Sequence, residues 1–254
     1  MTADLTRLIE ALAQDGLALG LVFLRVGPVV ALMPGFGESA IPMRVKLALA
    51  LAMTLIVGPG APTAWPGDDA AIASVFVSET VNGLALGIGL RSFVFALQIA
   101  GTIAAQATSL SQILGSAGAE PMPAMGQTLT MAGLCLAVMA GLHVEVAVYL
   151  LGSYDYLPFA RYPAGADLLD WGSALLARAF SLAFTLGAVF LIISTLYNLT
   201  LGVINRAMPQ LMVAFVGAPA ITLAGVALLY LFAVTAITVW HDALRGFLAA
   251  PFGG

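Results

Sequence analysis

The chain has 254 residues, of which 61 % are hydrophobic and 9 % charged, with a formal net charge of −4 and a mean hydropathy of +1.03. Soluble domains carry roughly 25 % charged residues, so this composition excludes a surface built wholly for water, and the acidic balance leaves no basic face for nucleic acid. One cysteine, Cys135, and two histidines exclude an intrachain disulfide and a metal centre assembled from soft ligands.

Leu5, Leu8, Ile9 and Leu12 recur at helical spacing and predict a short amphipathic helix over 1–15, lying at a membrane interface or on a partner. Asp4, Glu10 and Asp15 outnumber Arg7 there, unlike the basic start of a secretory signal. The first apolar region is Gly16–Met33, with Arg25 inside it, Pro28 interrupting it and Pro34-Gly35 ending it. The second, Ile41–Val57, opens at Pro42 and Arg44 and closes at Gly58-Pro59-Gly60. The third runs from Ile72 to Leu114, about 65 Å as a straight helix at ~1.5 Å per residue. That exceeds one bilayer crossing, so it is expected to bend or split, with Gly83, Gly87, Gly89 and Gly101 as weak points. Glu79, Gly83 and Gly87 share one face, and Gly83 to Gly87 is a small-xxx-small pattern for close helix packing.

After a Gly/Pro loop at Gly115–Ala124 comes a fourth region, Met125–Leu151, and then a polar stretch, Gly152–Asp170. The fifth region is Trp171–Asn205, followed by a proline-containing break, Arg206–Pro219, and a sixth region, Ala220–Trp240. Trp171 and Trp240 stand near segment ends, where indole rings favour the headgroup level. A hydrocarbon core of ~30 Å needs about 20 helical residues, and its backbone must bond within its own segment. Runs such as Leu47–Met53 lack the dyad alternation of a membrane β-barrel. The expected fold is therefore all-α: an integral membrane protein of bent or broken helical hairpins with about six hydrophobic regions. It reads as one membrane domain over 1–254, with a first helical half at 16–152 and a C-terminal hairpin at 171–241.

Basic residues do not orient it. In a six-span reading Arg7, Arg161 and Arg245 fall on one side and Arg44, Lys46 and Arg206 on the other. Arg25, Glu79, Arg91 and Arg178 lie in or near apolar segments, where a central charge costs about 2.5–3.5 kcal/mol on insertion scales. They call for protein partners or water on those faces, or for helix ends from which they snorkel.

Enzyme motifs are incomplete. His143-Val144-Glu145 has the H-x-E form of a zinc deaminase helix but no P-C-x-x-C follows. Gly87-Ile88-Gly89 starts like a dinucleotide loop, yet position 92 is Ser. No G-x-x-x-x-G-K-[ST] loop is present. The expectation is a protein that is not an enzyme and takes no cofactor. A secondary transporter for a small solute is the alternative, since transporters also combine broken helices with midplane charges.

Several blocks resemble the FliR family of flagellar export-gate subunits. Asn205-Arg206-Ala207-Met208-Pro209-Gln210, continuing to Phe215-Val216-Gly217-Ala218-Pro219, is similar to that family's N-R-x-x-P-Q-x-x-x-F-x-x-G-x-P run. Ala100-Gly101 through Gln106, Gly141-Leu142-His143 with Pro158, and Glu79 with Gly83 match further blocks. Arg25, Pro28, Pro34, Pro42 and Arg44 fall in the family's order, so the likeness spans about residues 16 to 245.

The resemblance implies a structural and gating subunit of the flagellar type III protein export channel. It would sit in the bacterial inner membrane, at the base of the flagellar basal body, among lipid. FliP-like and FliQ-like subunits and a FlhB-like subunit would be its partners, and unfolded flagellar proteins its cargo. The family places a pore plug near 108–125. No Phe, Tyr or Trp occurs in 108–125 here, so Ile113, Leu114, Met122 and Met125 would form the seal.

Overall fold

Helices carry nearly all of the described chain, which in the computed structural model comprises residues 2–63, 69–109, 124–207 and 213–252. Of these, 2–15, 69–71, 108–109, 124–125, 213–219 and 222 are described by their backbone alone. The order is α1 (Thr2–Leu32), α2 (Met43–Val57), a 3-10 turn at Gly58–Gly60, α3 (Asp69–Ser109), α4 (Ala124–Met139), α5 (Leu142–Tyr156), α6 (Gly165–Ala207) and α7 (Val213–Ala249).

Several boundaries differ from the sequence reading, each for a local reason. Residues 2–15 and nearly all of the first apolar region form one helix, α1, which runs through Pro28. An interior proline forfeits one backbone hydrogen bond, and the buried Val26, Val29 and Val30 around it hold the helix in register. Likewise α3 is uninterrupted for 41 residues. Its glycines are points of close approach instead of breaks. A side chain at Gly83 would collide with the backbone carbonyl of Arg25, and one at Gly101 would stand 2.5 Å from Cα of Gly126.

The break falls elsewhere. The expected region Met125–Leu151 is two helices, α4 and α5, bent by 71°. Gly141 between them has φ of +90°, a left-handed conformation that costs glycine little. Downstream, Leu157 precedes Pro158, whose ring disfavours the α region for it. Leu157 leaves helical geometry at φ −119°, ψ 80°, and α5 ends. Helix α6 begins at Gly165, before Trp171, and α7 begins inside the expected break, takes in Pro219 and continues beyond Trp240.

The chain divides into two compact units. One comprises Met1–Arg91, Ala137–Leu175 and Leu244–Gly254; the other comprises Ser92–Leu136 and Leu176–Ala243. In the first, Val22, Val26 and Val29 form the buried stripe of α1, with Met33 just beyond it and Leu86, Leu150 and Leu244 also in the core. In the second, small residues let helices meet: Ala96 packs with Ala179 and Ala183, Ala104 and Ala107 with Phe190, and Gly187 abuts Ile103. Within lipid, contact of this kind replaces the hydrophobic effect as the source of helix association.

Trp240 is also fully buried in the second unit, where its indole N–H donates to the Phe93 carbonyl at 2.7 Å. It is a core anchor and does not mark a headgroup boundary. By length and composition four helices among the described residues could cross a membrane: 43–60, 72–107, 165–207 and 223–249, with the bent α4–α5 pair as a fifth if counted as one span. Large apolar side chains stay exposed on α6 (Phe180, Phe184, Leu199) and on α7 (Leu223, Tyr230, Leu231).

Candidate functional site

Arg25 occupies the buried stripe of α1 and has no exposed surface. Removing a guanidinium from water costs several kcal/mol unless its donors are met, and here they are. Nε donates to Glu79 Oε2 at 2.7 Å and Nη2 to Glu79 Oε1 at 3.0 Å, a bidentate pair. Nη1 donates to Ser153 Oγ at 3.1 Å and Nη2 also to the Leu157 carbonyl at 2.9 Å. The Tyr154 ring lies 3.9 Å from the guanidinium carbon, a desolvated cation–π contact.

Glu79, equally buried on α3, accepts a further bond from the Ala160 backbone N–H at 3.0 Å. That bond steadies Ala160 at φ of +62°, a conformation uncommon for a residue with a Cβ. Nearby, Asn82 Nδ2 donates to the Arg161 carbonyl at 3.2 Å. The cluster thus ties α1, α3, α5 and the turn after α5 into one polar knot inside the first unit. The E-x-x-x-G spacing has a physical meaning here. Gly83, one turn beyond Glu79, brings the α1 backbone close enough for the carboxylate to reach Arg25. Two buried polar atoms in this region, Asn82 Oδ1 and Tyr154 Oη, have no hydrogen-bond partner among the described residues. Such unmet groups are rare in cores.

Arg91 pairs with Glu38 at 2.6 Å, both partly buried, and Arg245 with Glu145 at 2.7 Å near the surface. These pairings correct the expectation that buried charges await neighbouring subunits: Arg25 and Arg91 find carboxylates 54 and 53 residues away in their own chain. Arg178 is exposed on α6. Ser153, Tyr154, Asn82 and Glu38 were missed as site residues. A hint lay in the polar run Ser78, Glu79 and Asn82 on α3, all buried.

The remaining candidate residues are dispersed. Pro34 is buried in the turn after α1, whereas Pro42 and Arg44 are exposed at the start of α2. Gly101 is buried against Gly126, and Gln106, five residues on, is exposed. His143 is exposed in the first turn of α5. Asn205 and Arg206 are exposed at the end of α6. Phe215, Gly217 and Pro219 belong to α7, and Met125 to α4, by their backbone only; Pro209, Gln210, Ile113, Leu114 and Met122 lie outside the described residues. Among the described residues no group of three or more His, Cys, Asp or Glu could hold a metal ion.

A family model described as bacterial export proteins, family 1, matches residues 17–247. The flagellar biosynthetic protein FliR of Caulobacter vibrioides is 33 % identical over 233 residues, covering 90 % of this chain and 93 % of that relative. The chain belongs to the FliR family. Other FliR proteins align over most of their length: that of Escherichia coli K12 at 28 % identity, covering 81 % of this chain and 80 % of the relative, and that of Bacillus subtilis at 25 %, covering 78 % and 79 %. In this member of the family the Arg25–Glu79 knot, Gly83 and both residues of the Gly101–Gly126 contact fall inside the matched span.

Proposed function

We propose that this chain is a structural and gating subunit of the flagellar type III protein export channel. In this reading it sits in the bacterial inner membrane at the base of the flagellar basal body and passes unfolded flagellar proteins. FliP-like, FliQ-like and FlhB-like subunits surround it. It performs no catalysis. The observation that carries the reading is the match to FliR proteins along nearly the whole chain. The secondary-transporter reading draws no support from those relatives.

The division of labour inside the molecule supports it. The buried charges Arg25 and Glu79 of the first unit are paired internally, while apolar side chains such as Phe184, Leu199 and Tyr230 remain exposed for sister subunits and lipid. The exposed polar residues of the family blocks, Arg44, Gln106, His143, Asn205 and Arg206, are then contacts to those subunits. A seal at Ile113, Leu114, Met122 and Met125 would close the pore by excluding water, as hydrophobic constrictions do.

Co-expression of a tagged chain with FliP-like and FliQ-like subunits tests the assignment. The expected outcome is one complex whose mass accounts for all three. A monodisperse monomer that carries a small solute into vesicles would overturn it. Deleting 115–124 should leave that complex intact and raise ion leakage; unchanged leakage removes the plug from the proposal.

A further inference from the structure

Beyond the knot, the first unit contains a cavity of about 330 Å³ at the end of α5, between the turn that follows it and the start of α6. Four aromatic rings line it, Tyr156, Tyr162, Trp171 and Phe252, together with Arg161 and Asp167. We propose that this cavity binds the headgroup of a zwitterionic phospholipid, the phosphodiester on Arg161 and the ammonium among the rings beside Asp167.

The chemistry of the lining selects the ligand. Phe252 stacks at a tilt on Tyr156, with centroids 5.2 Å apart, and on Trp171 at 5.4 Å. The polar handles of two rings are already engaged: the Trp171 indole N–H donates to the Pro251 carbonyl at 2.8 Å and the Tyr162 hydroxyl to the Ser74 carbonyl at 3.2 Å. Those two rings therefore offer a ligand mainly their faces, which carry negative quadrupole and attract cations. Asp167 adds a full negative charge for an ammonium, and the Arg161 fork suits a phosphate. A ligand bearing both signs satisfies both residues, whereas an anionic lipid leaves the aromatic half unused.

The location selects a lipid over a soluble zwitterion. Residues 157–164 are non-helical backbone between apolar α5 and α6, and such backbone does not face the hydrocarbon layer. Clustered Tyr and Trp mark the headgroup level. The cavity is also built before the ligand arrives. The Leu157 carbonyl is held by Arg25, the Ala160 N–H by Glu79 and the Arg161 carbonyl by Asn82. A preorganised wall lowers the ordering cost of binding, and a volume near 300 Å³ is the small end of ligand pockets.

The test is native mass spectrometry of the full chain in detergent, titrated with short-chain phosphatidylethanolamine, with phosphatidylglycerol of the same acyl chains, and with free phosphoethanolamine. One phosphatidylethanolamine should be retained per chain. R161Q should weaken it about tenfold or more, the scale of losing one charge-assisted contact. D167N should erase the preference over phosphatidylglycerol. Both residues are exposed, so circular dichroism of the variants should match the parent; W171F, which keeps an apolar ring, provides a third variant that should also weaken binding. Equal retention of the two lipids, or R161Q without effect, means annular lipid only and overturns the proposal. Free phosphoethanolamine binding as tightly as the lipid overturns it in favour of a soluble ligand.

Discussion

Replacing Glu79 with alanine leaves the Arg25 guanidinium in place, still without solvent, but deprived of the 2.7 Å and 3.0 Å bonds that balance its charge. What remains are the neutral acceptors Ser153 and Leu157 and the ring of Tyr154. Removing one partner of a buried pair costs about 3–5 kcal/mol, because the survivor is an uncompensated charge. At 1.4 kcal/mol per decade, that is roughly a hundredfold to several thousandfold in the folded-to-unfolded ratio. Replacing the pair together, as Arg25→Met with Glu79→Leu, removes the stranded charge and should recover most of the loss. The assay is denaturant unfolding in mixed micelles, read as a double-mutant cycle. A loss below about 1 kcal/mol for Glu79→Ala, the scale of a solvated surface pair, would show that water reaches the guanidinium and would refute the account of a dry, internally neutralised knot.

Gly83→Ala places a methyl on the Arg25 carbonyl and should cost about 1–3 kcal/mol by forcing α1 off α3. Gly152→Ala, with nothing within 4 Å, should be neutral or gain up to about 1 kcal/mol; equal thermal shifts would reject the close-contact argument. Trp240→Phe loses the bond to the Phe93 carbonyl in a buried setting and should lower stability by about 1–3 kcal/mol, measured as a fall in Tm; an unchanged Tm would count against a core role. Arg206→Ala, exposed at the end of α6, should leave Tm unchanged yet impair swimming in a complementation assay. Normal motility would take Arg206 out of the subunit interface.

Apolar intervals between charges located most helices, because lipid-facing segments cannot hide their composition. The interruptions were harder to read. Pro28 looked like a break, but packing on Val26, Val29 and Val30 carries α1 through it. Gly141 gave no warning: its neighbours are apolar, and only its left-handed φ reveals the 71° bend. Arg25 and Glu79 stood out as charges in apolar runs, yet their union depends on a contact across 54 residues that no local pattern encodes. Attributing them to neighbouring subunits followed from counting each charge alone. Gly83 supplied the clue, since a small residue one turn from a buried carboxylate marks where another backbone arrives.

Arg25 spends all three of its guanidinium nitrogens on its own chain. A charge met inside its own chain brings no bare guanidinium into an apolar environment, where an unpaired one is costly. What is left open on the molecule is apolar: the flanks of α6 and α7, where Phe184, Leu199 and Tyr230 remain uncovered.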